Sequence, residues 1–351
     1  MKKKLIALIA VLIILLTAAA VMLFSSHSSS SPKFTYPPEY KLNVTHVSDT
    51  AETAKYGKQV GGNCYLAATT MLLKSFDPQI TFLDVFVYQG NGVSFSYYFP
   101  RGPQGGTAAG LMDASTDILL TAASNLGFTP HLRMRMTDRS MGTGTSWQTK
   151  IKELGGDLQS YLWSPPLGEY KQIISGGIPL ATDGSPCHND YHVIEGYNED
   201  ELFAVIPDPE DVDRDDPKIS CPVGSGLRSA VFWFTPDRQK LSDRELMLVM
   251  KESIKESLEN MERYIKNLKE GTGIISFTQN IYLGRKFASM YLQEHGYPEL
   301  AAAYKKSSEL LFPLTSIFSS DIGEHKDQVI SQMDKVFKIE RGLTGYWDKV
   351  N

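Results

Sequence analysis

The chain has 351 residues, with 42% hydrophobic and 21% charged residues and a formal net charge of −5. Those proportions exclude a disordered chain and leave room for two domains of ordinary size. The mild acidity argues against a nucleic-acid partner, because a phosphate binder needs a basic patch.

The N-terminus is the least soluble stretch. Lys2, Lys3 and Lys4 precede Leu5–Phe24, an uncharged apolar run that spans ~30 Å as a helix, enough for a bilayer core. Lysines ahead of such a run favour a cytoplasmic N-terminus. Its small residues, Ala18 to Ala20, are followed by more apolar ones, unlike a signal-peptide cleavage site. Residues 1–25 are therefore read as a transmembrane signal anchor. The expected localisation is the cell membrane, single-pass with the rest outside the cytoplasm, or secretion if the segment is cleaved. Residues 26–46 form a Ser/Pro-rich stalk, with a glycosylation sequon at Asn43-Val44-Thr45.

Residues 47–238 have a mixed pattern. Helices are expected at Cys64–Phe76 and Ala114–Leu126, and strands at Tyr191–Tyr197, Leu202–Ile206 and Ala230–Phe234. Gly90–Gly110 and Lys218–Arg228 read as loops. Residues 239–351 are helical in pattern. Apolar residues from Leu246 to Leu268 recur at steps of three and four, Ser242 and Glu245 form a capping-box pattern, and Gly271 ends the run. Shorter helices are expected at Gln279–His295, Pro298–Leu311 and Glu324–Ile339. The fold class is thus α+β followed by an all-α C-terminal domain.

The segment QVGGNCYLAATTMLLKSF puts Cys64 at the mouth of a helix. There the helix dipole and unpaired N–H groups stabilise a thiolate and can hold an oxyanion. Gln59 can add a side-chain amide donor. A thiol nucleophile also needs a base, and the base an orienting group. His192 lies in the strand YHVIEGY and Asp208 just past the strand LFAVI, so a hairpin could bring them side by side. The alternative is an inert buried Cys, a core His and a turn-forming Asp.

GNCYLAATTMLLKSF followed by DYHVIEGYNEDELFAVIPDPE resembles the papain-like cysteine peptidases, and within them the bacteriocin-processing, double-glycine-leader branch. The resemblance covers about Tyr56–Trp233, with its specific part in those two blocks. It implies a papain-like fold, in which the nucleophile's helix packs on an antiparallel sheet. It also implies Cys64 as nucleophile, His192 as general base and acid, Asp208 as orienter and Gln59 as oxyanion donor. The Gln-to-Cys interval is one residue shorter than usual, and Asn63 is the fallback donor. No G-x-x-x-x-G-K-[ST] loop follows, so cleavage coupled to export does not carry over.

The expected activity is thiol-dependent hydrolysis of a peptide or amide bond in a peptide or protein substrate. An all-protein triad needs no cofactor. Acyl transfer to an amine would use the same machinery, and an inactive peptidase-like binding module is a further alternative. Cys187 and Cys221 would form a disulfide and leave Cys64 free; the alternatives are three unpaired cysteines or a bridge that uses Cys64, which would remove the nucleophile. Zinc at Cys187-His188 lacks paired-ligand spacing. The acidic run Glu210–Asp216 lacks the glycine and terminal Glu of a calcium loop. His131 carries no functional mark.

Overall fold

The structure, a computed structural model, describes residues 34–44, 64–88, 120–135, 151–161, 167–185, 188–205, 218–222, 231–271, 279–317 and 322–350. Pro37–Asn351 is one compact unit, and the other unit, Met1–Tyr36, is described only from residue 34. The apolar run Leu5–Phe24 and most of the stalk lie outside the described residues. Among the described residues no helix is long and apolar enough to cross a membrane.

The architecture is α+β, built on one mixed sheet. Its strands are β1 (Tyr40–Lys41), β2 (Thr129–Arg135), β3 (Leu158–Tyr161), β4 (Leu180–Ser185), β5 (His188–Tyr197), β6 (Glu201–Val205), β7 (Lys218–Pro222) and β8 (Val231–Thr235). They run in the order β3-β2-β8-β4-β5-β6-β7, and β1 pairs with β5. All pairs are antiparallel except β2 and β3. The sheet is therefore not wholly antiparallel, as the resemblance implied. A parallel pair needs a crossover connection, and residues 136–157 are long enough to supply it.

The eight helices labelled here are α1 (Cys64–Lys74), α2 (Phe82–Val87), α3 (Leu167–Ser175), α4 (Asp243–Glu270), α5 (Gln279–Glu294), α6 (Pro298–Leu311), α7 (Ile322–Arg341) and α8 (Thr344–Trp347). Residues 120–125 are helical as well, on the expected Ala114–Leu126 segment. Lys218–Pro222, expected within a loop, is instead strand β7. As the last strand of the order it pairs with β6 alone among the described residues, and Pro222 is tolerated because an edge strand can leave one side of its ladder empty.

Apolar side chains cover both faces of the sheet. On one face Ala181, Val193, Val205 and Phe234 join Ala68, Met71 and Leu72 of α1. The same group continues through α2 to Leu246 and Met250 of α4, Phe287 of α5, Tyr304 of α6 and Trp347 of α8. On the other face Leu180, Ile194, Val231 and Trp233 pack with Tyr170 and Ile174 of α3. A third group joins the C-terminal half of α4 to Val329, Met333 and Val336 of α7.

Two local features fix the β5 hairpin. Asn198 Oδ1 accepts hydrogen bonds from the backbone N–H groups of Asp200 and Glu201, at 2.9 and 2.7 Å, which closes the turn into β6. The β5–β6 register shifts between Ile194 and Gly196, and β1 presses on that bulge. A Cβ on Gly196 would lie 2.6 Å from the Tyr40 carbonyl oxygen, so only glycine fits there. The Leu42 N–H donates to Glu195 O at 2.7 Å, Lys41 Nζ lies 3.4 Å from the Glu195 carboxylate, and the Tyr197 hydroxyl donates to Pro37 O at 3.2 Å.

Candidate functional site

Cys64 is the first residue of α1. Its N–H is therefore one of the helix's first four, which have no acceptor inside the helix. α1 packs on β5, β4 and β8. The sequence suggests a single apolar stripe for this helix, but every residue from Leu66 to Leu73 is buried, Thr69 and Thr70 included. Thr70 Oγ1 turns back to donate to Leu66 O at 2.7 Å, and Thr69 Oγ1 has no hydrogen-bond partner among the described residues. At the far end Lys74 Nζ donates to Ile80 O at 2.7 Å, so the last turn ties down the chain beyond it. α1 is thus a central helix, buried along its length from Leu66 to Lys74.

His192 lies in β5 and is 1% exposed. Its partner across the β4 pair is Thr182, itself fully buried. The pairing of Leu180–Thr182 with Ile194–His192 is unbroken. Side chains alternate between faces along a strand, so His192 shares the face of Ile194, which packs with α3, while Val193 belongs to the face that α1 covers. Val193 pairs with Val205, the last residue of β6. The chain therefore leaves β6 beside His192, shortly before Asp208. Asp208, Gln59, Asn63 and the side chain of Cys64 lie outside the described residues, as do Cys187 and the Glu210–Asp216 run.

His192 ends a row that runs across five strands: Gln159 pairs with Arg133, Arg133 with Val231, Val231 with Thr182 and Thr182 with His192. Beyond the middle of the row the face becomes ionic. Arg133 Nε donates to Glu169 Oε1 and its terminal nitrogen to Asp157 Oδ2, both at 2.8 Å. The guanidinium also lies 4.9 Å from the centre of the Trp233 ring. The Tyr161 hydroxyl donates to Glu169 Oε2 at 3.0 Å, and burial followed by that carboxylate pushes its pKa up to about 12. The Tyr170 hydroxyl is buried beside this cluster without a hydrogen-bond partner among the described residues, and burial pushes its pKa up too. Sequence reading missed this group. Its members sit on short elements, β2, β3 and α3, and only the sheet brings them together.

His131 stacks on Trp233 with ring centres 5.4 Å apart, and its Nε2 lies 2.9 Å from Thr235 Oγ1. The Asp157 N–H lies 3.4 Å from His131 Nδ1, an arrangement that suits a neutral ring, and burial holds its pKa below the ordinary value. Among the described residues no group of three His, Cys, Asp or Glu side chains could hold a metal ion. No protein-family model matches the chain, and no curated protein matches it.

Proposed function

We propose that the chain is a thiol-dependent hydrolase with a papain-like fold, membrane-anchored, that cleaves a peptide or amide bond outside the cytoplasm. Cys64 attacks the carbonyl, His192 takes and returns the proton, Asp208 holds the imidazole, and Gln59 with the Cys64 N–H receives the oxyanion. The observation that carries the reading is the start of α1 at Cys64, with that helix packed on the strand that holds His192. A thiol at a helix N-terminus is the arrangement that lowers a cysteine pKa. The hairpin of β5 and β6 adds support, because it brings the chain to the side of His192 just ahead of Asp208.

A second reading has its own observation. The alternation along β5 that puts His192 on the face packed with α3 favours a binding module on a peptidase-like scaffold, in which His192 is a core residue beside Thr182.

One measurement separates the two. The alkylation rate of Cys64 is followed against pH in the full chain by mass spectrometry of its peptide, in the wild type and in His192→Ala. Hydrolase chemistry predicts labelling that stays fast well below the free-thiol pKa of ~8.5 and slows in the variant. A low pKa that is the same in both proteins reports only the helix terminus and rejects the pairing with His192. An ordinary-thiol profile rejects the nucleophile and leaves the binding module. Should His192→Ala not fold, His192→Asn is read in its place.

A further inference from the structure

The chain has three cysteines, and of the three internal pairs they define, Cys187–Cys221 alone leaves Cys64 free. The strand register decides whether that pair can close. Cys221 of β7 is the register partner of Leu202 in β6, and Leu202 is the partner of Tyr197, the last residue of β5. Cys221 is therefore level with the end of β5. Cys187 directly precedes His188, the residue with which β5 begins.

β5 has ten residues, which span ~30 Å at ~3.3 Å per step. The register shifts beside Asp183 and at Ile194–Gly196 shorten it by about two steps and leave more than ~20 Å. β7 also lies two strands away from β5, a further ~10 Å sideways. Going from His188 to Cys187 changes the separation by one peptide step, ~3.8 Å. A disulfide needs its two Cα atoms within ~7 Å. The Cys187–Cys221 bridge expected from the sequence therefore cannot close within one chain.

Cys221 is out of reach of Cys64 as well. β5 and β8 are both antiparallel to β4, so Tyr197 and Thr235 lie toward the same end of the sheet. Thr235 pairs with Thr129, and the ring of the preceding Phe128 is 5.7 Å from that of Phe76, two residues past α1. The C-terminal end of α1 is thus at the Cys221 end of the sheet. The eleven residues of α1 carry the Cys64 backbone ~15 Å toward the other end. α1 packs on β5, β4 and β8, and β6 stands between β5 and β7.

We infer that Cys221 is beyond disulfide reach of both other cysteines, and that any internal disulfide of this chain consumes Cys64. The pair left is Cys64–Cys187. Internal oxidation and loss of the nucleophile are then a single event, and the form competent for chemistry has no internal bridge. The regulatory consequence rests on Cys64 being the nucleophile, as proposed above; the exclusion of the Cys221 pairs does not.

The test maps the disulfides of the full chain. The protein is exported to an oxidising compartment, collected without reductant and alkylated in denaturant. Its monomer is digested and analysed by mass spectrometry with and without reduction. A second sample is first titrated with oxidised glutathione, which is reduced to two thiols as two protein thiols lose two protons and two electrons and join. The expected monomer contains no internally linked Cys221 peptide, and any bridge that forms removes Cys64 alkylation one for one. A monomer without internal bridges supports the inference, as does Cys221 found in a dimer or as a glutathione adduct. A linked Cys187–Cys221 or Cys64–Cys221 peptide in the monomer overturns it. Cys64→Ser gives an independent reading, because its two remaining cysteines are the excluded pair. Its melting temperature should be the same with and without reductant, and a fall on reduction of the monomer overturns the inference. Should Cys64→Ser not fold, Cys64→Ala is used. The hydrolase reading stands or falls on the pH profile of Cys64 alkylation, which the disulfide map does not use.

Discussion

Arg133 in the sheet and Arg285 in the helical part have side chains only 5% and 1% exposed, but their partners differ. Arg133 is shared between Asp157, whose side chain is 51% exposed, and Glu169, at 16%. Its ion cluster therefore opens to water at the rim of the sheet. Arg285 of α5 makes two 2.9 Å bonds to the two oxygens of Glu340 on α7, which is 3% exposed. That pair is dry at both ends. A wet cluster can lose a member and let water replace it, whereas a dry pair is all-or-none.

The largest expected effect follows from that contrast. Arg285→Met should destabilise by about 3–5 kcal/mol, because it strands the Glu340 carboxylate, while Arg285→Met combined with Glu340→Leu should return most of the loss. Arg133→Met should cost less, about 1.5–3 kcal/mol, the range for hydrogen bonds to charged groups. Urea unfolding of the three variants reads all of this, and equal losses for the two single variants would erase the distinction between wet and dry.

A smaller effect separates two buried tyrosines. The Tyr304 hydroxyl accepts a hydrogen bond from Trp347 Nε1 at 3.2 Å, whereas that of Tyr170 has no partner among the described residues. Tyr304→Phe should cost about 1 kcal/mol, and Tyr170→Phe should be neutral or stabilising by a similar amount. Thermal melts of the two variants with opposite shifts would support this, and a loss at Tyr170 would mean that its hydroxyl is satisfied after all.

The smallest effect is a pH dependence confined to the sheet. Burial lowers the folded pKa of His131, so below its unfolded value of ~6.5 the unfolded chain binds more protons than the folded one. The contribution of His131 is therefore fully present above that value and is lost as pH falls through it. His131→Gln should flatten the fall in melting temperature between about pH 7 and 5. An unchanged slope would assign the acid sensitivity to other groups.

The helical part was legible because its signals are local. Ser242 Oγ accepts from the Glu245 N–H, the Ser242 N–H donates to Glu245 Oε2 at 2.8 Å, and Gly271 closes α4 at φ +76°. α6 has the bounds expected from sequence, α5 ends one residue early, and α7 is two residues longer at each end. β5, β6 and β8 also emerge from their runs of β-branched and aromatic residues, and the first residue of α1 was read correctly.

Other elements were not legible, for identifiable reasons. β4 reads LATDGS, whose Asp-Gly looks like a turn until β5 and β8 flank it. α2 has six residues, and its capping box closes with Asp84 where Glu or Gln is the usual partner. β2 and β3 are short strands joined in parallel through a long excursion, a pairing no local pattern encodes. At the candidate site, sequence gave the helix start and the strand of His192. The face on which His192 lies depends on the β4–β5 register, which only the assembled sheet fixes.

The contact of β1 with Gly196 has a mechanical consequence. The chain enters the sheet along β5, held by a two-residue strand and the bonds at Glu195 and Tyr197. Traction applied upstream of Tyr40 therefore loads both β5, the strand that carries His192, and α3, on which β1 also packs.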